Sequence, residues 1–213
     1  MYNQLTIIVP FYNNETHLKQ CLESLINQSN QQFELILVND GAQDLSENYL
    51  FEKLENYSKQ PKYIKLNKNH GHAYARNKGI AHVETPYFMF VDADDIISPY
   101  TIEVYLKHLK QQDAVISKIH DFSLNIPNCY LDEDLTVHYK KINKYPDALL
   151  KQDSISNIIF KTSIVQNHCI KLNEKLLYNS EYIRDLIITR KEIECKLEIW
   201  IFFVIYLHII LII

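Results

Sequence analysis

Phe88-Met89-Phe90-Val91-Asp92-Ala93-Asp94-Asp95 sets an apolar run directly against three carboxylates packed within four positions. From Tyr87 to Val91 the residues are aromatic, β-branched or otherwise apolar without alternation, which suits a strand buried on both faces of a parallel sheet. Open α/β sheets bind ligands just outside the carboxyl ends of their strands. Like charges this close repel, and a cation, protons or full solvation makes them tolerable. Hard oxygen ligands at a strand end could hold a divalent ion and, through it, a phosphate. The competing reading is local: Asp94 and Asp95 cap the next turn, as Asp does in many loops.

The segments before this stretch repeat its plan. Residues 5–10 read as a first buried strand whose ladder Pro10 ends, followed by the loop Phe11-Tyr12-Asn13-Asn14. Leu18, Cys21, Leu22, Leu25 and Ile26 then mark the apolar face of a helix. Residues 33–38 form a second strand ending in Asn39-Asp40-Gly41. Asp44 and Glu47 resemble a capping box, and Leu50, Leu54 and Tyr57 continue a second helix. A short strand over 63–66, a small-residue helix over 72–83 and the strand before Asp92 follow. Ser98 caps and Pro99 starts a further helix to about residue 111.

Strand and helix thus alternate four times, the pattern of a parallel sheet with right-handed crossovers. Each polar cluster comes immediately after a strand: Tyr12 with Asn14, Asp40 with Gly41, Asn69 with Arg76, and Asp92 with Asp94. Such ends lie on one edge of the sheet, so clusters distant in sequence converge. Later the pattern weakens. Strands are expected over 114–119, 135–139 and 156–160, and helices over 161–167 and 182–191.

At 213 residues the chain suits one domain with a small appendage. A formal net charge of −4 and the lack of a Lys/Arg-rich run argue against nucleic-acid binding. Cys21, Cys129, Cys169 and Cys195 are scattered without C-x-x-C or zinc-type spacing, so they read as reduced core residues rather than a disulfide framework. The first residues lack the basic and long apolar regions of a signal peptide, which places the catalytic face in the cytoplasm. The chain has only three glycines, Gly41, Gly71 and Gly79, all within the polar clusters.

Four stretches together carry a resemblance: Ile7-Ile8-Val9-Pro10-Phe11-Tyr12-Asn13-Asn14-Glu15; Val38-Asn39-Asp40-Gly41-Ala42-Gln43-Asp44; Asn69-His70-Gly71-His72-Ala73-Tyr74-Ala75-Arg76-Asn77-Lys78-Gly79-Ile80; and Val91-Asp92-Ala93-Asp94-Asp95. Their order and spacing are similar to those of family 2 glycosyltransferases. The resemblance implies an α/β fold of GT-A type: a Rossmann-like, mostly parallel sheet flanked by helices, with a short α+β acceptor-side region. It implies one domain over 1–190, with a donor-binding half over about 1–113, an acceptor-side half over about 114–190, and an apolar tail over 191–213.

The resemblance also implies roles. Pro10, Tyr12 and Glu15 would line the base and ribose pocket, and Asp40 would hydrogen-bond the base. Arg76, with Asn69 nearby, would stand beside the ribose and diphosphate, where its fork matches phosphate oxygens. Asp92 and Asp94 form the D-x-D pair that contacts ribose and a Mn²⁺ or Mg²⁺ ion. The general base of the family is usually an Asp in an acidic pair. Here Glu181 stands at that position with Ser180 before it, one methylene longer than expected, and Asp185 competes for the role.

The implied activity is inverting transfer of a sugar from a nucleotide-sugar donor, a UDP-sugar by preference. The acceptor would be a cell-envelope polysaccharide or a teichoic-acid-like polyol phosphate. The alternative is a truncated or non-catalytic nucleotide-sugar-binding module. A nucleotidyltransferase fits less well, because no glycine-rich, Lys/Arg-containing loop follows the first strand. Residues 199–213 are almost wholly apolar; as a helix they would cover about 22 Å, short of a ~30 Å hydrocarbon core. They could meet the inner face of the plasma membrane, an oligomer partner or the core, or mark a truncated or frameshifted chain.

Overall fold

The computed structural model describes residues 3–13, 15–44, 46–54, 59–109, 114–116, 155–156, 158–167, 169–172, 174 and 186–188. The first 108 residues alternate strand and helix as expected: β1 (Leu5–Phe11), α1 (Glu15–Ile26), β2 (Phe33–Asn39), α2 (Ser46–Leu54), β3 (Lys62–Lys65), α3 (His72–Ile80), β4 (Tyr87–Phe90) and α4 (Thr101–His108). Then come β5 (Ala114–Ile116), β6 (Ile158–Lys161), α5 (Thr162–Asn167), β7 (Ile170–Leu172) and β8 (Leu186–Ile188).

Six strands form one sheet in the order β3-β2-β1-β4-β6-β5, and β7 pairs with β8 in a separate ribbon. Strands β1 to β4 are parallel, while β6 runs antiparallel between β4 and β5. The chain steps from β1 to β2 to β3 and then returns past both to β4. Right-handed crossovers send α1 and α2 over one face on the way out and α3 over the other on the way back. Burial follows suit. Leu5, Ile7, Val9 and Phe11 of β1 pack with Leu18, Leu22 and Leu25 of α1, whereas Ile8 packs with Ala73, Ala75 and Ile80 of α3. A Cβ on Gly79 would lie 2.4 Å from Ile8 Cγ2, so this glycine lets α3 settle close on β1.

The structure departs from the sequence expectations at several boundaries, each with a cause. Strand β1 continues through Pro10 to Phe11, which pairs with Asn39. Ile8 accepts from Val91 N–H on the β4 side while Phe11 accepts from Asp40 N–H on the β2 side. By the alternation of a ladder, Pro10 faces β4, where pairing ends at Ile8 and Phe90, so its missing N–H costs β1 and β2 nothing. Helix α4 begins at Thr101 rather than Pro99. Gln28 Nε2 takes the Ser98 carbonyl, Ser29 N–H takes the Pro99 carbonyl, and Gln28 Oε1 accepts from Ile102 N–H; the turn after α1 thus caps α4 and holds 98–100 outside the helix.

Glu47 does not close a capping box. Its carboxylate accepts from Tyr63 Oη at 2.8 Å and Lys65 Nζ at 2.6 Å, binding α2 to β3. Helix α3 stops at Ile80, where His82 N–H and Val83 N–H bond three residues back and tighten the turn. Residues 186–188, expected within a helix, are strand β8. Leu-Ile-Ile there pairs with Ile170–Leu172 along the backbone, in keeping with the strand preference of β-branched residues. The expected strand over 135–139 and the apolar tail lie outside the described residues. Among the described residues no helix is long and apolar enough to cross a membrane.

Candidate functional site

The sheet changes direction of growth between β1 and β4, since β2 and β3 lie on one side of that pair and β6 and β5 on the other. A crevice opens at the carboxyl ends of strands flanking such a switch point. The loops after β1 and β4 border it, one carrying Tyr12 and the other the acidic turn.

That turn is tightly organised. Asp92 follows Val91 directly, its carbonyl accepts from Asp95 N–H at 3.0 Å, and buried Cys21 of α1 donates to the same carbonyl at 3.5 Å. Its carboxylate accepts on both oxygens, from Arg76 Nη2 at 2.5 Å and from Ser156 Oγ at 2.9 Å. Arg76 comes from α3, is 0% exposed, and sets its guanidinium carbon 5.7 Å from the centre of the Phe90 ring. Its burial differs from the expected position open to a diphosphate. The sheet face that receives α3 is apolar, so the guanidinium is stable there through a charge partner, and Asp92 is that partner.

Asp94 is different: it is exposed, and none of the described residues donates a hydrogen bond to it. The negative field of the turn reaches Cys21, whose thiol pKa is pushed up first by burial and then by Asp95, Asp92 and Asp94. Arg76 offsets one of these charges. A divalent cation would find an open carboxylate at Asp94, although no described group of three or more His, Cys, Asp or Glu residues could hold it. Mg²⁺-type sites made of one or two carboxylates plus substrate phosphates have this composition.

Asp40 sits at the end of β2, bound by its N–H to the Phe11 carbonyl at 2.9 Å. Its carboxylate is buried and accepts from His70 N–H at 2.9 Å and Gly71 N–H at 2.8 Å, which fixes the loop leading into α3. Burial raises its pKa, and those two hydrogen bonds pull it partly back. Asn69 Oδ1 shares the Gly71 N–H at 2.9 Å. Gly41 stands at φ +76°, and a Cβ there would lie 2.4 Å from the Lys68 carbonyl carbon, so only glycine fits beneath this loop.

Tyr12, at 40%, is the exposed large hydrophobic residue among the described ones. Pro10 is buried behind it, and Asn13 at φ +46° turns the chain and accepts from Gln43 N–H at 2.6 Å. Glu15 opens α1, exposed, with its N–H bound to Asp44 Oδ2 at 3.3 Å. The structure thus places Pro10, Tyr12, Glu15, Asp40, Asn69, Asp92 and Asp94 around one sheet edge, with Arg76 acting from beneath Asp92. Glu181 lies outside the described residues. Sequence reasoning missed Ser156. It reaches Asp92 because β6 is antiparallel, so the residues before that strand stand at the edge where the parallel strands end. A polar residue just ahead of an apolar strand was the available signal, and strand direction was the missing fact.

The glycosyl transferase family 2 model matches residues 6–169. The teichoic acid poly(glycerol phosphate) polymerase of Staphylococcus epidermidis is 43% identical over 175 residues, which is 82% of this chain and 24% of the relative. The chain therefore spans about a quarter of that relative's length. Among solved structures, S. aureus TarS 1-349 in complex with UDP superposes with a TM-score of 0.66 at 22% identity, covering 84% of this chain and 53% of that one. The mannosyltransferase PcManGT of Pyrobaculum calidifontis, in complex with GDP-Man and Mn²⁺, gives 0.60 at 16% identity, covering 86% and 52%. At these identities the structural likeness establishes the fold, a GT-A-like mixed sheet flanked by helices.

Proposed function

Because the chain belongs to glycosyl transferase family 2, we propose that it moves a sugar from a UDP-sugar to a cell-envelope polysaccharide or teichoic-acid-like acceptor, by metal-assisted inverting displacement. The observation that carries the reading is the placement of exposed Tyr12 and exposed Asp94 just after β1 and β4, the two strands at the switch point. The UDP bound to TarS and the polymerase named among the relatives support the donor and acceptor classes.

Tyr12 offers its ring to the nucleobase, a flat apolar surface with a polar tip. Asp40 shapes the floor of that pocket by holding the 68–71 loop, and keeps lone pairs for a base N–H. Arg76 and Ser156 hold the Asp92 carboxylate in one orientation toward the ribose. Asp94 would hold Mn²⁺ or Mg²⁺ together with the diphosphate oxygens. Bound there, the ion supplies Lewis-acid stabilisation for the charge that grows on the departing diphosphate. The sugar passes through an oxocarbenium-like transition state. A carboxylate must take the acceptor proton, and Glu181 is our candidate.

Calorimetry tests the donor half: UDP binding is expected with Mn²⁺, about tenfold or more weaker in Asp94→Asn or without metal. Equal affinity in all three would remove the metal site. Incubation with nucleotide sugars and a polyol-phosphate acceptor tests transfer. UDP binding without transfer would favour the second reading, a donor-binding module.

A further inference from the structure

The 40–43 turn, which carries Asp40, is pinned from two sides through successive main-chain donors. Ala42 N–H donates to Asn39 Oδ1 at 2.7 Å, and Gln43 N–H donates to Asn13 Oδ1 at 2.6 Å. With Asp40 N–H on the Phe11 carbonyl, the turn bonds to the residues on both sides of Tyr12. Tyr12 and Asp40 thus belong to one hydrogen-bonded unit.

Asn39 is itself oriented from deeper in the fold. Its side chain is fully buried, and its Nδ2 donates to Tyr63 Oη of β3 at 2.9 Å. That hydroxyl donates in turn to the Glu47 carboxylate. Direction is fixed along this series of bonds. Lys65 and then Tyr63 hold the Glu47 pKa down, so its carboxylate accepts; burial first, and then Glu47, holds the Tyr63 pKa up, so the phenol keeps its proton to donate. A hydroxyl that donates to Glu47 offers Asn39 a lone pair. This selects the NH2 end of the Asn39 amide and leaves Oδ1 for Ala42 N–H.

We propose that Tyr63 is a positioning residue for the nucleobase: acting through Asn39, its hydroxyl keeps Asp40 and Tyr12 in the places that select uracil. The inference rests on the donor-site reading of those two residues. An ionised carboxylate only accepts, so Asp40 suits the imide N–H of uracil and opposes the ring N3 of cytosine, itself an acceptor. Such discrimination depends on the carboxylate staying in place. Once it turns aside, the bond to the right base and the repulsion of the wrong one are lost together. Tyr63→Phe leaves the buried Asn39 Nδ2 without this acceptor, which favours a rearranged amide over the one that holds Ala42.

Calorimetry of the full chain with UDP and with CDP, each beside Mn²⁺, tests this. Wild type should prefer UDP by about tenfold or more. In Tyr63→Phe the UDP affinity should fall about fivefold or more while CDP affinity stays within about twofold, so the preference collapses. A loss shared equally by both nucleotides, or an unchanged preference, would make Tyr63 a structural tie only and overturn the proposal. Should the phenylalanine variant not fold, Asn13→Gly keeps the positive φ and removes the other anchor of the turn at an exposed position, where water can replace it. It should narrow the preference likewise, and a full wild-type preference there would equally overturn the proposal. A wild-type chain that binds UDP and CDP alike would defeat the selectivity claim and leave the donor site standing. One that binds neither would defeat the donor-site reading itself.

Discussion

Arg76 and Asp92 form an ion pair of 2.5 Å in which the arginine is fully buried and the aspartate reaches the surface at the site. The pair joins the core under α3 to the acidic turn after β4. Charge-assisted geometry of this kind orients a carboxylate firmly, and breaking it strands a charge.

Arg76→Met should therefore destabilise the fold by about 3 kcal/mol, the order found when one partner of a buried pair is removed. Thermal denaturation reads the loss, and UDP affinity should fall with it. Arg76→Lys should rescue little, because an ammonium lacks the fork and the ring contact with Phe90. Full rescue by lysine would show that charge alone suffices.

Ser156→Ala removes the donor to Asp92 Oδ2 and should cost about 1 kcal/mol. Because Arg76 still holds the other oxygen, the turn should keep its shape. Donor KM is the sensitive measurement: it should rise more than stability falls. An unchanged KM would separate Ser156 from the site.

Gly41→Ala forces a Cβ into the Lys68 backbone at a positive φ, two penalties in one position. A loss of about 2 kcal/mol or more is expected. The 68–71 loop must move to admit the methyl, so Asp40 should lose its bonds to His70 and Gly71 and UDP binding should weaken. Urea denaturation alongside calorimetry checks both.

The acid limb of stability should depend on Glu47. Its pKa is lowered by Lys65 and then Tyr63, so it binds protons more weakly folded than unfolded. That stability is present above the ordinary carboxylate pKa and is lost as pH falls through the lowered folded value. Since Lys65 is more than half exposed, the difference between wild type and Glu47→Gln should be about 1 kcal/mol or less near pH 7. It should vanish in acid. Asp40 acts in the opposite sense. Burial raises its pKa, so its contribution is present at low pH and is lost as pH rises through the raised value. A gap between the two proteins that stayed constant down to strong acid would deny Glu47 this role.

The sequence by itself determined the framework. Unbroken apolar runs ending in Tyr12, Asp40 and Asp92 could only be buried parallel strands, and parallel strands bring their carboxyl ends to one edge. Local periodicity and ordered motifs carry that information, which is why the fold, the family and the edge were legible. Tertiary structure alone decided the partners. Arg76 reads as a phosphate fork until the apolar face of the sheet closes over it and leaves Asp92 as its counter-charge. Glu47 reads as a helix cap until β3 presents Tyr63 and Lys65. Ser156 was signalled only by its place ahead of an apolar strand, and it gains meaning from the direction of that strand, far along the chain. The acidic turn was visible from the start as a cluster of charge; which of its carboxylates is occupied and which is open followed from what packs beneath it.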